Sequence, residues 1–62
     1  MNQNNTKVLL IIDCTDALLW YRDKIGQHVP FVREEDDCYL SREDEGYVNI
    51  VFKKDAKLLD AP

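Results

Sequence analysis

The sequence predicts a small, mainly β domain built from antiparallel strands. Three segments of strand length follow one another after Gly26 in the 62-residue chain, and each is rich in aromatic or β-branched residues. Charged turns separate these segments, and a short apolar run near the start of the chain adds a further strand. Helical spacing extends over only about ten residues, which is marginal for a helix on its own.

The first half of the chain contains one predicted strand and one ambiguous segment. Residues 1–6 are polar and lack periodicity, so we expect a disordered tail. Residues 7–13 contain a short continuous apolar run, which is typical of a strand inside a sheet. Residues 15–25 leave two interpretations open, because their apolar spacing fits either a helix packed on the sheet or an irregular loop.

Residues 27–34, 38–43 and 47–52 are predicted to form a three-stranded meander. A two-residue turn at 35–36 and a three-residue turn ending on Gly46 would align Phe31, Leu40 and Ile50 across the strands. Because side chains alternate along a strand, this register creates one mostly apolar face, which we expect to be the core. That face comprises Val29, Phe31, Arg33, Cys38, Leu40, Arg42, Val48, Ile50 and Phe52.

The last segment is predicted to form a helical turn that begins at residue 53 and a short strand at 57–59. The element order is therefore strand, long loop, three-stranded meander, helical turn and strand. This is the order of a five-strand antiparallel SH3-like barrel, which we predict as one domain spanning residues 7–60. The alternative is an α+β unit in which residues 15–25 form a helix.

Three short motifs carry a resemblance to a known type of protein. They are WYRDKIG at 20–26, GYVNIV at 46–51 and KKDA at 53–56. Over about residues 18–59 the chain resembles small phage and prophage proteins of unknown function. The segment 28–30 departs from the acidic strand usual in that group. The resemblance implies an SH3-like barrel and no catalytic residues. The matching positions are Trp20, Tyr21, Ile25, Gly26, Gly46, Tyr47, Asn49, Ile50, Val51, Asp55 and Ala56.

Composition and charge disfavour several classes of function. The net charge of −4 opposes binding to nucleic acid or to an anionic membrane. Cys14 and Cys38 have no CxxC spacing and the chain has a single histidine, so we expect no metal site and no cofactor. The predicted register puts His28 and Cys38 on opposite faces, which argues against a nucleophilic pair and an enzyme. The longest apolar run, at 8–12, is too short for a membrane span, and we expect a cytoplasmic protein.

Aromatic residues are the strongest candidates for function. We predict a non-catalytic module, a phage or prophage accessory protein, that binds a protein partner as a monomer or homodimer. The partner-binding residues predicted are Trp20, Tyr21, Tyr39, Tyr47 and Asn49. The competing interpretation is that the long loop folds over this face and its aromatic residues complete a small core. The alternative function is binding of nucleic acid through a lysine edge, formed by Lys53, Lys54 and Lys57.

Overall fold

The computed structural model describes residues 7–61 and is mainly β, as predicted. The expected tail at 1–6 lies outside the described residues. The strands are β1 (Lys7–Ile11), β2 (His28–Pro30), β3 (Arg33–Glu34), β4 (Cys38–Arg42), β5 (Val48–Phe52) and β6 (Ala56–Asp60). A single 3-10 turn at Lys53–Asp55 precedes β6, which confirms the predicted helical turn and final strand.

The strands form two three-stranded antiparallel sheets. Sheet I has the order β2-β1-β6, and sheet II has the order β3-β4-β5. The predicted strand 27–34 is divided between them, because the chain bends after Pro30 and changes from β1 to β4 as its pairing partner. Within residues 7–61 no strand pairing joins the two sheets. Two open sheets with six strands therefore replace the closed five-strand barrel that we expected.

The long loop between β1 and β2 has no helix, so the α+β alternative with a helix at 15–25 is wrong. Its backbone makes successive tight turns instead, in which Leu19 N donates to Asp16 O and Arg22 N donates to Leu19 O. The Asp16 carboxyl accepts a hydrogen bond from Leu18 N at 2.9 Å. Such a local side-chain bond offers the backbone an alternative to helix formation.

The hairpin between β4 and β5 matches the prediction. Arg42 pairs with Val48 and Leu40 pairs with Ile50, as a three-residue turn at 44–46 requires. Gly46 has a φ of 99°, in the left-handed region that a residue with a Cβ rarely adopts. This turn fixes which residues of β4 and β5 share a face.

The turn between β3 and β4 lies one residue later than predicted. Glu35 N donates to Cys38 O at 2.8 Å, so the turn residues are 36 and 37 rather than 35 and 36. Arg33 consequently pairs with Leu40 instead of Cys38. The partner of each β3 residue moves by two positions, and therefore the side chains stay on the predicted faces.

The face of sheet II that packs in the core is the opposite of the one predicted. Val51 and Ser41 are fully buried, and both lie on the face expected to be open. Val48, on the face expected to be core, is 47% exposed. The number of apolar residues on a face does not decide whether that face is buried, because apolar atoms make up more than half of the surface of a typical folded protein. The long loop covers this face, since its Tyr21 belongs to the same buried cluster as Val51.

The core is formed by both sheets and the long loop. Sheet I contributes four residues of its inner face, sheet II contributes Val51, and the loop contributes Tyr21. The buried apolar residues are Leu9, Ile11, Tyr21, Val29, Val51 and Ala56. A core this small makes each of its side chains important for stability.

Candidate functional site

The long loop lies along β5 and occupies the free edge of that strand. Glu43 N donates to Tyr47 O, and the alternation of an antiparallel ladder then directs the N–H and C=O groups of Ile50 and Phe52 away from β4. The Trp20 indole N–H donates to Ile50 O at 2.7 Å, and Phe52 N donates to the Tyr21 hydroxyl at 3.2 Å. Two of the predicted partner-binding residues thus satisfy an edge strand of their own chain.

Tyr21 is fully buried and is not available to a partner, which corrects its predicted role. Its hydroxyl donates to Asp55 Oδ2 at 2.6 Å. The same oxygen accepts from both the backbone N–H and the hydroxyl of Thr15, at 3.3 and 3.1 Å. The Asp55 carboxyl is also fully buried, and it ties two points of the long loop to the 3-10 turn.

Burial raises the pKa of the Tyr21 phenol well above its usual value, and the hydrogen bond to Asp55 raises it further. The backbone N–H of Phe52 acts in the opposite direction but is weaker. The neutral phenol is therefore the form that fits the folded protein, since its O–H donates a hydrogen bond to Asp55 while its oxygen accepts one from the N–H of Phe52.

This pKa shift predicts that the protein loses stability in alkaline solution. The unfolded chain releases the Tyr21 proton near pH 10, while the folded chain retains it to higher pH. The free energy of unfolding should therefore fall as the pH rises above about 10. Urea titrations of wild type and Tyr21→Phe at several pH values measure this dependence. A slope that is identical in both proteins would contradict the assignment to Tyr21.

Trp20 and Asn49 are half-buried, and their polar groups form hydrogen bonds within the protein. The Trp20 ring meets Tyr21 edge-on, with centroids 5.7 Å apart. Asn49 Nδ2 donates to Glu43 Oε2 at 2.7 Å, and Asn49 Oδ1 accepts from the N–H of Ile50 at 2.8 Å. The amide thus satisfies one more outward group of β5. Both residues therefore hold the long loop and the edge of β5 in place and do not form part of an open binding surface.

The remaining two aromatic residues have different surroundings. Tyr39 is half-buried against the core, in edge contact with Phe31 at 6.1 Å, with the Lys53 ammonium 5.7 Å from its ring. Tyr47 is 70% exposed. The five predicted residues therefore do not form one open aromatic patch. The competing interpretation, in which the loop covers this face, describes the structure.

The outer face of sheet II, opposite Val51 and Ser41, is the apolar surface that remains accessible. We define the outer face as Cys38, Leu40, Val48, Ile50 and Phe52, bordered by Arg33, Arg42 and Lys54. Its apolar members are half-buried, apart from Val48, which is exposed. Beside Phe52 a groove of about 480 Å³ is lined by both acidic and basic side chains. The predicted register places these residues together on one face, as observed, but the prediction that this face is the core is wrong.

The cations around the outer face differ in how their charge is compensated. Arg33 forms an ion pair with Glu35 at 2.6 Å. Arg42 donates to a backbone carbonyl, that of Gly46, at 2.9 Å, and Lys54 lies 6.0 Å from the Phe52 ring centroid. Neither Arg42 nor Lys54 has a carboxyl partner within 4 Å among residues 7–61. Two positive charges that form no ion pair within the described residues thus lie at opposite ends of an apolar row.

The three lysines of the alternative site do not share one surface. Lys53 forms an ion pair with Glu34 at 2.7 Å, and that hydrogen bond raises the pKa of the ammonium above its usual value. Lys54 lies over Phe52 at one end of the outer face. Lys57 pairs with Leu10 and lies on the outer face of sheet I.

Among residues 7–61, no group of three or more His, Cys, Asp or Glu residues is arranged to hold a metal ion. Cys14 and Cys38 are free thiols. No helix there has the length and apolarity needed to cross a membrane.

Comparisons of the chain with models of protein families, with curated proteins and with solved structures found no match.

Proposed function

We propose that this protein is a non-catalytic interaction module that binds an acidic, apolar segment of a partner protein on the outer face of sheet II. The observation that carries the proposal is the row formed by Val48, Ile50 and Phe52, with Arg42 and Lys54, which form no ion pair within the described residues, at its ends. A partner with an apolar centre and flanking carboxylates complements this arrangement in both shape and charge.

The charge distribution also favours a different protein over a second copy at this face. Two copies packed face to face about a two-fold axis would bring cations of the same rim together. Like charges in contact cost several kcal/mol, as a rough estimate, in a desolvated interface. An acidic partner avoids that cost, even though the whole chain carries a net charge of −4.

Fold and resemblance support the same class of function. The element order supports an open variant of the SH3-like barrel, as does the segment 28–34, which supplies β2 to sheet I and β3 to sheet II. The resemblance to small phage and prophage proteins supports an accessory role. Two free thiols suit a reducing compartment, so we propose that the module acts in the cytoplasm.

The proposal is tested by selecting ligands from a display library of short random peptides. The selected peptides are expected to combine large apolar residues with Asp or Glu. In NMR titrations their largest shifts should fall on Val48, Ile50 and Phe52. Val48→Glu and Arg42→Glu should each weaken binding by about tenfold or more, since they introduce repulsion at one end of the row.

Tyr47→Ala provides the matched control, because Tyr47 is adjacent in sequence but points to the other side of β5. It should leave peptide affinity unchanged. The choice of the outer face would be overturned if the selected peptides lacked acidic residues. It would also be overturned if their binding depended on Tyr47 and not on Val48. Preferential binding of a nucleic acid, weakened steeply by salt and by loss of Lys54 and Lys57, would favour the lysine alternative instead.

A further inference from the structure

Four strands lie at sheet edges, and three of these edges are protected. In β2 the Pro30 nitrogen lacks a hydrogen and the strand has three residues. In β3 the strand has two residues. In β5, side chains of Trp20, Tyr21 and Asn49 cover the outward groups of Ile50 and the outward N–H of Phe52. Short strands, proline and covering groups are the usual ways to keep an edge from pairing with another chain.

The edge of β6 lacks such protection among the described residues. Ile11 N donates to Gln27 O and Ile12 N donates to Asp55 O, so the residues of β1 alternate between β2 and β6. It follows that Lys57 and Leu59 bond to β1, while Leu58 and Asp60 direct their N–H and C=O groups outward. Nothing in residues 7–61 hydrogen-bonds to these outward N–H groups.

We infer that β6 is a strand-addition edge, and that it pairs in antiparallel fashion with β6 of a second copy of this chain. The pairing would join two copies of sheet I into one six-stranded sheet, leaving the outer face of sheet II free in both. It is therefore independent of the function proposed above, although two docking faces in one dimer would increase avidity for a repeated partner.

The sequence of β6 favours a second copy as the occupant. A two-fold axis at Leu58 lets the two Leu58 residues exchange a pair of hydrogen bonds, and lets Asp60 N donate to Ala56 O of the second copy. In this register Lys57 lies opposite Leu59 of the second copy, so no like charges face each other. Leu59 is 36% exposed, and the aliphatic part of the opposing lysine would cover it.

This register can be tested by changing which charges face each other across the interface between the two β6 strands. Leu59→Lys puts two lysines opposite each other at two symmetric positions, and should raise the dissociation constant of the dimer by about tenfold or more. Leu59 lies on the outer face of sheet I, so the monomer should remain folded, which circular dichroism checks. The double variant Lys57→Glu, Leu59→Lys restores opposite charges across the interface and should restore the dimer.

Sedimentation equilibrium over a range of protein concentrations measures the mass. Wild type should rise from 7.3 kDa towards twice that value, and Leu18→Lys, at a loop position 88% exposed, should behave like wild type. Amide exchange of Leu58 and Asp60 should slow as the concentration rises. A wild type that stays at the monomer mass up to millimolar concentration would overturn the inference. So would a dimer that Leu59→Lys leaves intact, or one that the double variant fails to restore.

Discussion

Tyr21→Ala is expected to remove a large part of the protein's stability. Truncating a buried aromatic side chain costs about 3–5 kcal/mol, and a chain of this length has a total stability of roughly 3–9 kcal/mol. The loss includes more than packing, because the Tyr21 hydroxyl also satisfies Asp55 and the edge amide of Phe52. Thermal and urea unfolding, followed by circular dichroism, measure the effect.

Two variants make this result specific. Tyr21→Phe keeps the ring and removes the hydroxyl, so it should cost about 1–3 kcal/mol and leave a folded protein. Tyr47→Ala makes the same truncation at a tyrosine that is 70% exposed, and should change the stability by less than about 0.5 kcal/mol. If Tyr21→Ala and Tyr47→Ala proved equally mild, Tyr21 would not belong to the core.

Asp55→Ala should be the second most destabilising change, with a loss of about 3 kcal/mol or more. It leaves the hydroxyl of Tyr21 and two donors of Thr15 without their acceptor inside the protein. The anchoring of the loop to the 3-10 turn would then depend on the backbone bonds to Asp55 O alone. Urea unfolding gives the free-energy change directly.

Asp44→Ala is the matched control, since Asp44 has a side chain that is 83% exposed and makes one surface ion pair, to Lys24. Its cost should stay below about 1 kcal/mol. In addition, Asp55→Ala combined with Tyr21→Phe should cost less than the sum of the two single changes, because both remove the same hydrogen bond. Additive losses would show that the two groups do not interact in solution.

Local sequence patterns predicted the strands well because the signals for strands and turns come from residues that are neighbours in sequence. Gly46 fixed the β4–β5 register through the conformation it allows, and the apolar run at 7–13 contains β1. The turn at 36–37 was misplaced because consecutive acidic residues suit either position equally. The division of one predicted strand after Pro30 depends on how two sheets pack together, which a single strand pattern does not contain.

The assignment of faces was wrong for a related reason. Alternation tells which residues share a face but not which face points inward. That choice depends on the long loop, whose Tyr21 reaches Asp55 across 34 residues of sequence. No local signal marks Asp55 as buried, since it follows two lysines in a polar segment. The conflict between a polar pattern and a buried position could be resolved only by the three-dimensional structure.

Methyl NMR with a soluble paramagnetic agent tests the central claim, which is the orientation of sheet II, most directly. The agent broadens signals in proportion to solvent exposure. We predict strong broadening for Val48 and clear broadening for Ile50, while Val51 and Leu9, both fully buried, stay sharp. Broadened Val51 methyls with protected Val48 and Ile50 would mean that the outer face is the core, and would contradict both the fold described here and the proposed docking surface.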